Sequence, residues 1–240
     1  GNVVGSNVAN IALVLGLVLL FRSIEIDERV YRRDGYFMLA VSFIFAGMVF
    51  LSGVISRFDG FILIVLFVTY LTQLHRQRRT GIVEDRLIGK RDGLSGESLK
   101  LVVGAVGVLI GSRFLVNSAV EIASILGVSE GAIGSTLVAV GTSLPEMAVS
   151  VTALKKGYTP ISIGNIIGSN IFNILWVIGV ASLISPLNAG DILMRFNIPV
   201  MLAIAILFLL FMRFNEKLGR REGITFMAIY VLFLAANFWR

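Results

Sequence analysis

Cysteine is absent from the 240-residue chain, which excludes disulfides, iron–sulfur clusters and thiolate zinc sites. Charge is scarce: Asp, Glu, Lys and Arg make up 15% of the residues, against about 25% in soluble domains. Histidine occurs once, as His75 beside Arg76, Arg78 and Arg79, and reads as a loop residue rather than a ligand. No signal peptide is visible, and the first residue, Gly1, already lies inside a motif. What fills the chain instead is apolar: 56% of residues are hydrophobic and the mean hydropathy is +0.89.

The apolar residues are gathered into runs. Residues 36–55, 60–74, 99–116, 198–212 and 224–239 carry almost no charge, and 2–21, 130–154 and 161–184 are apolar stretches interrupted by Gly, Pro, Asn or Ser. Runs of about 17–25 apolar residues cross a bilayer as helices. Eight spans are therefore expected, and the fold class is an all-α polytopic membrane protein with the lipid bilayer as its surroundings. A net charge of +6 would suit nucleic acid, but the basic residues sit in loops, where they set orientation in the membrane. No nucleic acid and no obligate protein partner is expected.

The chain repeats itself. GNVVGSNVANIALVLG (1–16) aligns with GNIIGSNIFNILWVIG (164–179) at an offset of 163, with nine of sixteen positions identical. The same offset places Met38-Leu39-Ala40 on Met201-Leu202-Ala203 and Asp59-Gly60 on Glu222-Gly223 without a gap. Residues 1–77 thus read as the back portion of a repeat, with three spans. Residues 99–240 read as its full five-span copy, and 78–98 as the linker. If the first copy is built like the second, roughly seventy residues and two spans are expected ahead of Gly1, and ten spans in the intact protein.

An odd number of spans per repeat turns one copy upside down relative to the other. Loop charge supports this, because Lys and Arg collect on the cytoplasmic side. Residues 22–35 hold four of them, 75–100 seven, 155–156 two and 213–222 four, whereas elsewhere only Arg57, Arg113, Arg195 and Arg240 occur. Loops 22–35, 75–98, 155–158 and 213–222 are expected to be cytoplasmic and the C-terminus outside, in a multi-pass protein of the plasma membrane. Loop 22–35 aligns with 185–198, which holds only Arg195, so equivalent loops face opposite sides and the repeats are inverted.

The chemistry gathers in STLVAVGTSLPEMAVSVTAL (135–154). Pro145 has no N–H for the carbonyl of Gly141 and clashes with it, so the helix breaks. Carbonyls from Ala139 to Gly141 are freed, which lipid tolerates only where they line a cavity or bind something. Thr142 and Ser143 add hydroxyl oxygens, and Glu146 follows, the one carboxylate expected deep within an apolar segment. A charge at that depth costs about 2.5–3.5 kcal/mol on insertion scales. No Lys or Arg shares its span, so a bound cation is the simplest partner; a protonated Glu146 bonded to a neighbouring helix is the plainer reading. In GNIIGSNIFN, Asn165, Ser169 and Asn173 are spaced i, i+4, i+8 along one helix stripe, and Asn2, Ser6 and Asn10 repeat it. Gly164 and Gly168 form a small-xxx-small pair expected to admit another helix closely. Carboxylate, hydroxyl, amide and carbonyl oxygens suit hard cations such as Ca2+ and Na+. Discontinuous helices meeting at the midplane between inverted repeats are how many secondary transporters build such a site.

GTSLPE (141–146) followed by GNIIGSNIFNI (164–174) closely resembles the second α-repeat of the calcium/cation antiporter superfamily, and GNVVGSNVANI (1–11) resembles the tail of the first. The resemblance, to the prokaryotic relatives of sodium/calcium exchangers, spans the chain. It implies a metal site of Glu146, Thr142, Ser143, the Ala139 carbonyl, Ser169 and Asn173, with Ser6 and Asn10 from the first repeat; Asn165 and Asn2 are further candidates. The first-repeat counterpart of Glu146 is expected ahead of Gly1. The resemblance implies a secondary active transporter, not an enzyme, without cofactor. It would exchange Ca2+ for Na+ or H+ by alternating access. Proton-coupled members often carry an acidic residue in the pattern GNxxE; Gly168 and Gly5 stand there, which favours Na+. A proton/calcium exchanger of the same superfamily and a cation channel or uniporter are the alternatives. Helices merely packed by Gly, Asn and Ser would be a third reading, but packing alone does not call for Glu146 beside a helix break.

Overall fold

The computed structural model describes residues 1–79, 94–127, 133 and 139–238. Helix α1 (Asn2–Phe21) is followed by α2 (Tyr31–Ser52) and α3 (Arg57–Arg79). Then come α4 (Leu94–Ile125), the broken pair α5 (Ala139–Thr142) and α6 (Leu144–Lys155), α7 (159–184), α8 (Leu193–Phe214) and α9 (Arg220–Phe238). Among the described residues six helices are long and apolar enough to cross a membrane: α1, α2, α3, the stretch Val106–Ile125 of α4, α7 from Ile161, and α8. The remaining expected spans fall on α9 and on α5–α6, whose approach through 134–138 lies outside the described residues.

Four two-residue strands connect the helices: β1 (Ile24–Glu25), β2 (Val54–Ile55), β3 (Leu187–Asn188) and β4 (Lys217–Leu218). β1 pairs antiparallel with β4 (Ile24 opposite Leu218), and β2 with β3 (Ile55 opposite Leu187). Adding 163 to one partner and subtracting it from the other turns the first pairing into the second. The molecule is thus two-fold related about its own repeat. The direction of the repeats follows from connectivity. α1 ends at β1, α2 runs from that end to β2, and α7 ends at β3, which is paired with β2. Equivalent helices α1 and α7 therefore end at opposite faces, and the repeats are inverted.

Helix starts obey the same relation. The backbone N–H and hydroxyl of Ser56 donate to Asp59 Oδ2 at 2.8 and 2.6 Å, and the N–H of Gly219 donates to Glu222 Oε2 at 2.8 Å. Each acidic side chain satisfies an N-terminal donor left open by the helix. That explains why the only charges in the aligned pair Asp59-Gly60 and Glu222-Gly223 sit where they do.

Between helices in lipid, apolar burial supplies little net drive, because the acyl chains are as apolar as leucine; close packing and interhelical hydrogen bonds carry cohesion. α1 is the central helix, with 78% of its apolar window buried against 6% for Val106–Ile125. Val8, Ile11 and Leu15 on α1 and Ile166, Ile171 and Ile174 on α7 form the inner core. Two glycine crossings close the bundle. A Cβ on Gly60 would lie 2.8 Å from the Gly179 carbonyl, and one on Gly223 would lie 2.9 Å from the Gly16 carbonyl. These are the same crossing in each repeat. The approach expected at Gly164 and Gly168 is not seen: no described atom comes within 4 Å of a Cβ built at either. Among the described residues no helix covers that face of α7.

Two boundaries differ from the sequence reading. The linker expected at 78–98 is helical at both ends, in α3 through Arg79 and in α4 from Leu94; residues 80–93 lie outside the described set. Residues 22–35 are largely ordered rather than a plain loop: β1 is followed by helix from Glu28, because Ile24 is fully buried against β4. Asp34 is consequently carried inward to 6% exposure, where Arg33 donates to it from Nε and Nη2 (2.7 and 2.6 Å) and the Tyr70 hydroxyl donates at 3.2 Å. Glu146 is therefore not the sole carboxylate within the helical bundle.

Candidate functional site

The second repeat presents its oxygens where the helix breaks. The Ser143 N–H donates to the carbonyl of Val140 at 2.9 Å, a tightened turn that closes α5, and the Met147 N–H donates to the Ser143 carbonyl at 3.0 Å, which starts α6. Pro145 occupies the first turn of α6, where a missing N–H costs nothing; the same residue cannot donate back to Gly141. Gly141 is required here, since any Cβ would overlap the side chain of Val116 on α4.

Opposite the break lies α1. The Ser6 hydroxyl is in hydrogen-bond contact with that of Thr142 and lies 3.4 Å from that of Ser143. Ser6 and Ser143 are buried, at 5% and 1% exposure. One turn beyond, the half-buried Glu146 shares a hydrogen bond with the Ser169 hydroxyl of α7. The Asn165 amide donates to the Glu146 backbone carbonyl at 3.2 Å and to Ser150 Oγ at 3.1 Å, tying α6 to α7. Ser6, Thr142, Ser143, Glu146, Ser169, Asn165, Asn10 and Asn173 thus belong to one contiguous interface between α1, α5–α6 and α7. Ala139 opens α5 at its edge. Asn2 is exposed at the start of α1 and stays outside the cluster.

Two residues absent from the sequence reading complete the centre. Asn173 donates to Asn7 Oδ1 at 2.9 Å, and Asn10 donates to Asn170 Oδ1 at 3.1 Å. Asn7 in turn donates to the Asn170 carbonyl at 3.5 Å. Asn7 and Asn170 are identical in the two copies, which was the available signal. They lie off the i, i+4, i+8 stripe, so α-helical counting passes them over. The stripe also ends in π-helix in both copies, at Ala9–Leu15 and Asn173–Ile178, where i→i+5 bonding shifts the register; such turns recur at functional sites.

Four buried side-chain atoms lack a hydrogen-bond partner among the described residues: Asn10 Oδ1, Glu146 Oε2, Ser162 Oγ and Asn197 Oδ1. Buried acceptors are rarely left so. The first two belong to this cluster, one from each repeat. No group of three or more His, Cys, Asp or Glu suited to a metal occurs among the described residues. What the cluster offers is neutral oxygens around a single carboxylate, a set matched to hard cations and not to Zn2+ or Cu2+.

Comparison with known proteins agrees with the architecture. The family described as sodium/calcium exchanger protein matches residues 1–74 and 98–239. The chain is 33% identical to the sodium/calcium exchanger MaX1 of Methanosarcina acetivorans, over 100% of this chain and 79% of that protein. It is 35% identical to the inner membrane protein YrbG of Escherichia coli, over 100% of this chain and 76% of that one. Among solved structures, the sodium-calcium exchanger NCX_Mj soaked with Na+ and Sr2+ superposes with a TM-score of 0.80 at 34% identity, covering 98% of this chain and 75% of that one. An inverted pair of helical repeats, a broken helix carrying Glu146 and a match along nearly the whole chain lead to one conclusion: this is a membrane cation exchanger, a member of the sodium/calcium exchanger family.

Proposed function

We propose that the protein exchanges Ca2+ for a monovalent cation, Na+ before H+, by alternating access, and that the interface of α1, α5–α6 and α7 is its ion site. Residues 1–77 are the back portion of the first repeat, 99–240 the second repeat and 78–98 their linker. The ligand set is Glu146, Thr142, Ser143, the Ala139 carbonyl and Ser169 from the second repeat, with Ser6 and Asn10 across from them and Asn173 joining from α7. Asn165 braces α6 against α7 through its amide N–H groups, which meet the α6 backbone and Ser150, and its oxygen remains a further candidate ligand.

The observation that carries this reading is the pair of buried acceptors without a partner among the described residues, Asn10 Oδ1 and Glu146 Oε2. A buried carboxylate oxygen without a donor is costly unless a cation or a proton neutralises it, and the hydroxyl and amide oxygens gathered around Glu146 favour the cation. The relatives' names point to the same cargo: MaX1 and NCX_Mj are both named as sodium/calcium exchangers. Gly5 and Gly168 standing where proton-coupled relatives carry an acid favours Na+ over H+.

The strand pairing, together with charge, supports the proposed membrane orientation. β1–β4 joins loop 22–35 to 213–222, and Arg22 donates to the Leu154 carbonyl at 3.2 Å, which brings 155–158 to the same end. That basic end is the cytoplasmic one by the positive-inside rule, in the plasma membrane.

The test is Ca2+ uptake into proteoliposomes under an imposed Na+ gradient and, separately, an imposed pH gradient, for the protein and for Glu146→Gln. Uptake driven by Na+ and abolished in Glu146→Gln is expected. Uptake driven only by the pH gradient would transfer the coupling to H+. Flux needing no counter-ion would indicate a channel, and undiminished flux in Glu146→Gln would remove Glu146 from the site.

A further inference from the structure

We propose that Asn7 and Asn170 are orientation locks: they hold the amides of Asn173 and Asn10 with the oxygen, not the NH2, available to a cation. The inference rests on the reading of Asn10 and Asn173 as ligands.

A primary amide has two ends of similar shape and opposite polarity. The oxygen accepts, and the NH2 group only donates. A cation is attracted by the first and repelled by the second, so an asparagine ligand is useful only if it cannot turn over. Here each ligand amide is fastened by its NH2 to an oxygen of the other repeat: Asn173 to Asn7 Oδ1 at 2.9 Å and Asn10 to Asn170 Oδ1 at 3.1 Å. With the NH2 committed, Asn10 Oδ1 is left buried and without a donor among the described residues.

A lock must itself be unable to flip. The NH2 of Asn7 faces the Asn170 carbonyl at 3.5 Å and Met201 Sδ at 3.8 Å, and that of Asn170 faces Met38 Sδ at 3.7 Å. Carbonyl oxygen and thioether sulfur are acceptors only. Turning Asn7 over would set its oxygen against those acceptors and its NH2 against the NH2 of Asn173. Both locks are buried, Asn7 and Asn170 being 2% and 1% exposed. The pairs 7 and 170, 10 and 173, and 38 and 201 are all separated by the repeat offset. The same arrangement is therefore present in both repeats.

The experiment measures the Ca2+ concentration for half-maximal uptake (K0.5) in proteoliposomes, in two backgrounds. Asn7→Ala is expected to raise K0.5 about fivefold, the worth of one amide hydrogen bond. In the Asn173→Asp background the same substitution is expected to change K0.5 by less than about twofold, because a carboxylate presents oxygen at either end. Asn170→Ala with and without Asn10→Asp is the matching arm on the other repeat. Met201→Leu, nearly isosteric and well tolerated, is the mild form: a shift of roughly twofold, silenced by Asn173→Asp. An equal shift in both backgrounds would reduce Asn7 and Asn170 to packing residues and overturn the lock. If Asn173→Ala and Asn10→Ala themselves leave K0.5 unchanged, the ligand reading fails instead, and the lock with it.

Discussion

Gly60→Ala is the sharpest probe of how the two repeats are held together. The added methyl would lie 2.2 Å from Ser182 Oγ and 2.8 Å from the Gly179 carbonyl. The hydroxyl can rotate away, but it then gives up its bond to the Gly179 carbonyl at 3.0 Å, a loss of about 1 kcal/mol. The carbonyl is backbone and cannot rotate, so α3 and α7 must separate by several tenths of an ångström, which overpacking data place at about 1–3 kcal/mol. Against this stands a gain in helix propensity of at most about 1 kcal/mol. A net destabilisation of about 2 kcal/mol is expected.

Reversible unfolding in mixed micelles measures it, with Gly47→Ala as the control, since nothing lies within 4 Å of a Cβ there. Gly47→Ala should be neutral or slightly stabilising. Gly223→Ala should match Gly60→Ala, because its methyl meets the Gly16 carbonyl and Leu19 Cβ, both at 2.9 Å. Adding Ser182→Ala should recover only the hydroxyl share, about 1 kcal/mol. If Gly60→Ala unfolds no more readily than Gly47→Ala, the crossing is not a backbone contact and the account of cohesion is wrong.

Gly141→Ala drives a methyl into Val116 and is expected to lower ion flux and stability together, with Val116→Ala restoring both; failure of the second substitution to rescue would show that α4 does not brace the break. Asp34→Ala leaves the Arg33 fork and the Tyr70 hydroxyl without their buried carboxylate; with Arg33 partly open to solvent, a loss of about 1–3 kcal/mol is expected in the same unfolding assay, and a loss under about 0.5 kcal/mol would count against it. At the exposed β1–β4 clasp, Lys217 bonds Glu25 at 2.7 Å. The hydrogen bond and charge of Lys217 hold the Glu25 carboxyl below the usual carboxylate range, and Glu25 in turn holds the Lys217 ammonium above the usual lysine value. A lowered carboxyl stabilises the fold above its unfolded pKa and loses that contribution as pH falls through the folded value. A raised ammonium does so below its unfolded pKa and loses it as pH rises through the folded value. The coupling between Glu25→Gln and Lys217→Gln should therefore be present at neutral pH and vanish in acid and in strong alkali; a coupling that persists in acid would refute the pairing.

Much of the fold was legible because one offset ran through the sequence without a gap. The identities at 1–16 and 164–179 foretold equivalent helices, and the unequal charge of 22–35 and 185–198 foretold their opposite directions. Both are seen in the strand pairing. The break at Pro145 was legible too, since a missing N–H acts locally. What escaped depends on distant partners. Asp34 reads as one more loop charge beside Arg32 and Arg33, and only the burial of Ile24 against β4 turns it inward. Gly60 and Gly223 stood in the alignment, but the carbonyls they approach lie in the other repeat. Gly164 and Gly168 had the spacing of a helix contact, but no atom of another described element comes within 4 Å of a Cβ at either. Asn7 and Asn170 fall one residue past Ser6 and Ser169, off the stripe that α-helical counting follows, and the amides they meet lie in the other repeat.

The location of the site within the bundle can be fixed by symmetry alone. A contact between two different residues is matched, in a two-fold molecule, by a second contact elsewhere, as β1–β4 is matched by β2–β3. A contact between a residue and its own counterpart has no second copy and must lie on the axis. Asn7 and Asn170 are such counterparts, and the Asn7 amide donates to the Asn170 carbonyl, so the axis passes between α1 and α7 at this point. Inversion of the repeats places that axis in the membrane plane, hence at equal depth from both faces. On the proposed ligand set, an ion held by Asn10, Asn173, Ser6 and Glu146 around it would be as far from one side as from the other. For an exchanger of this construction the ion itself need not travel between two sites. Under the alternating access proposed above, exchanging the local arrangements of the two repeats about the axis would open the same oxygens first to one face and then to the other.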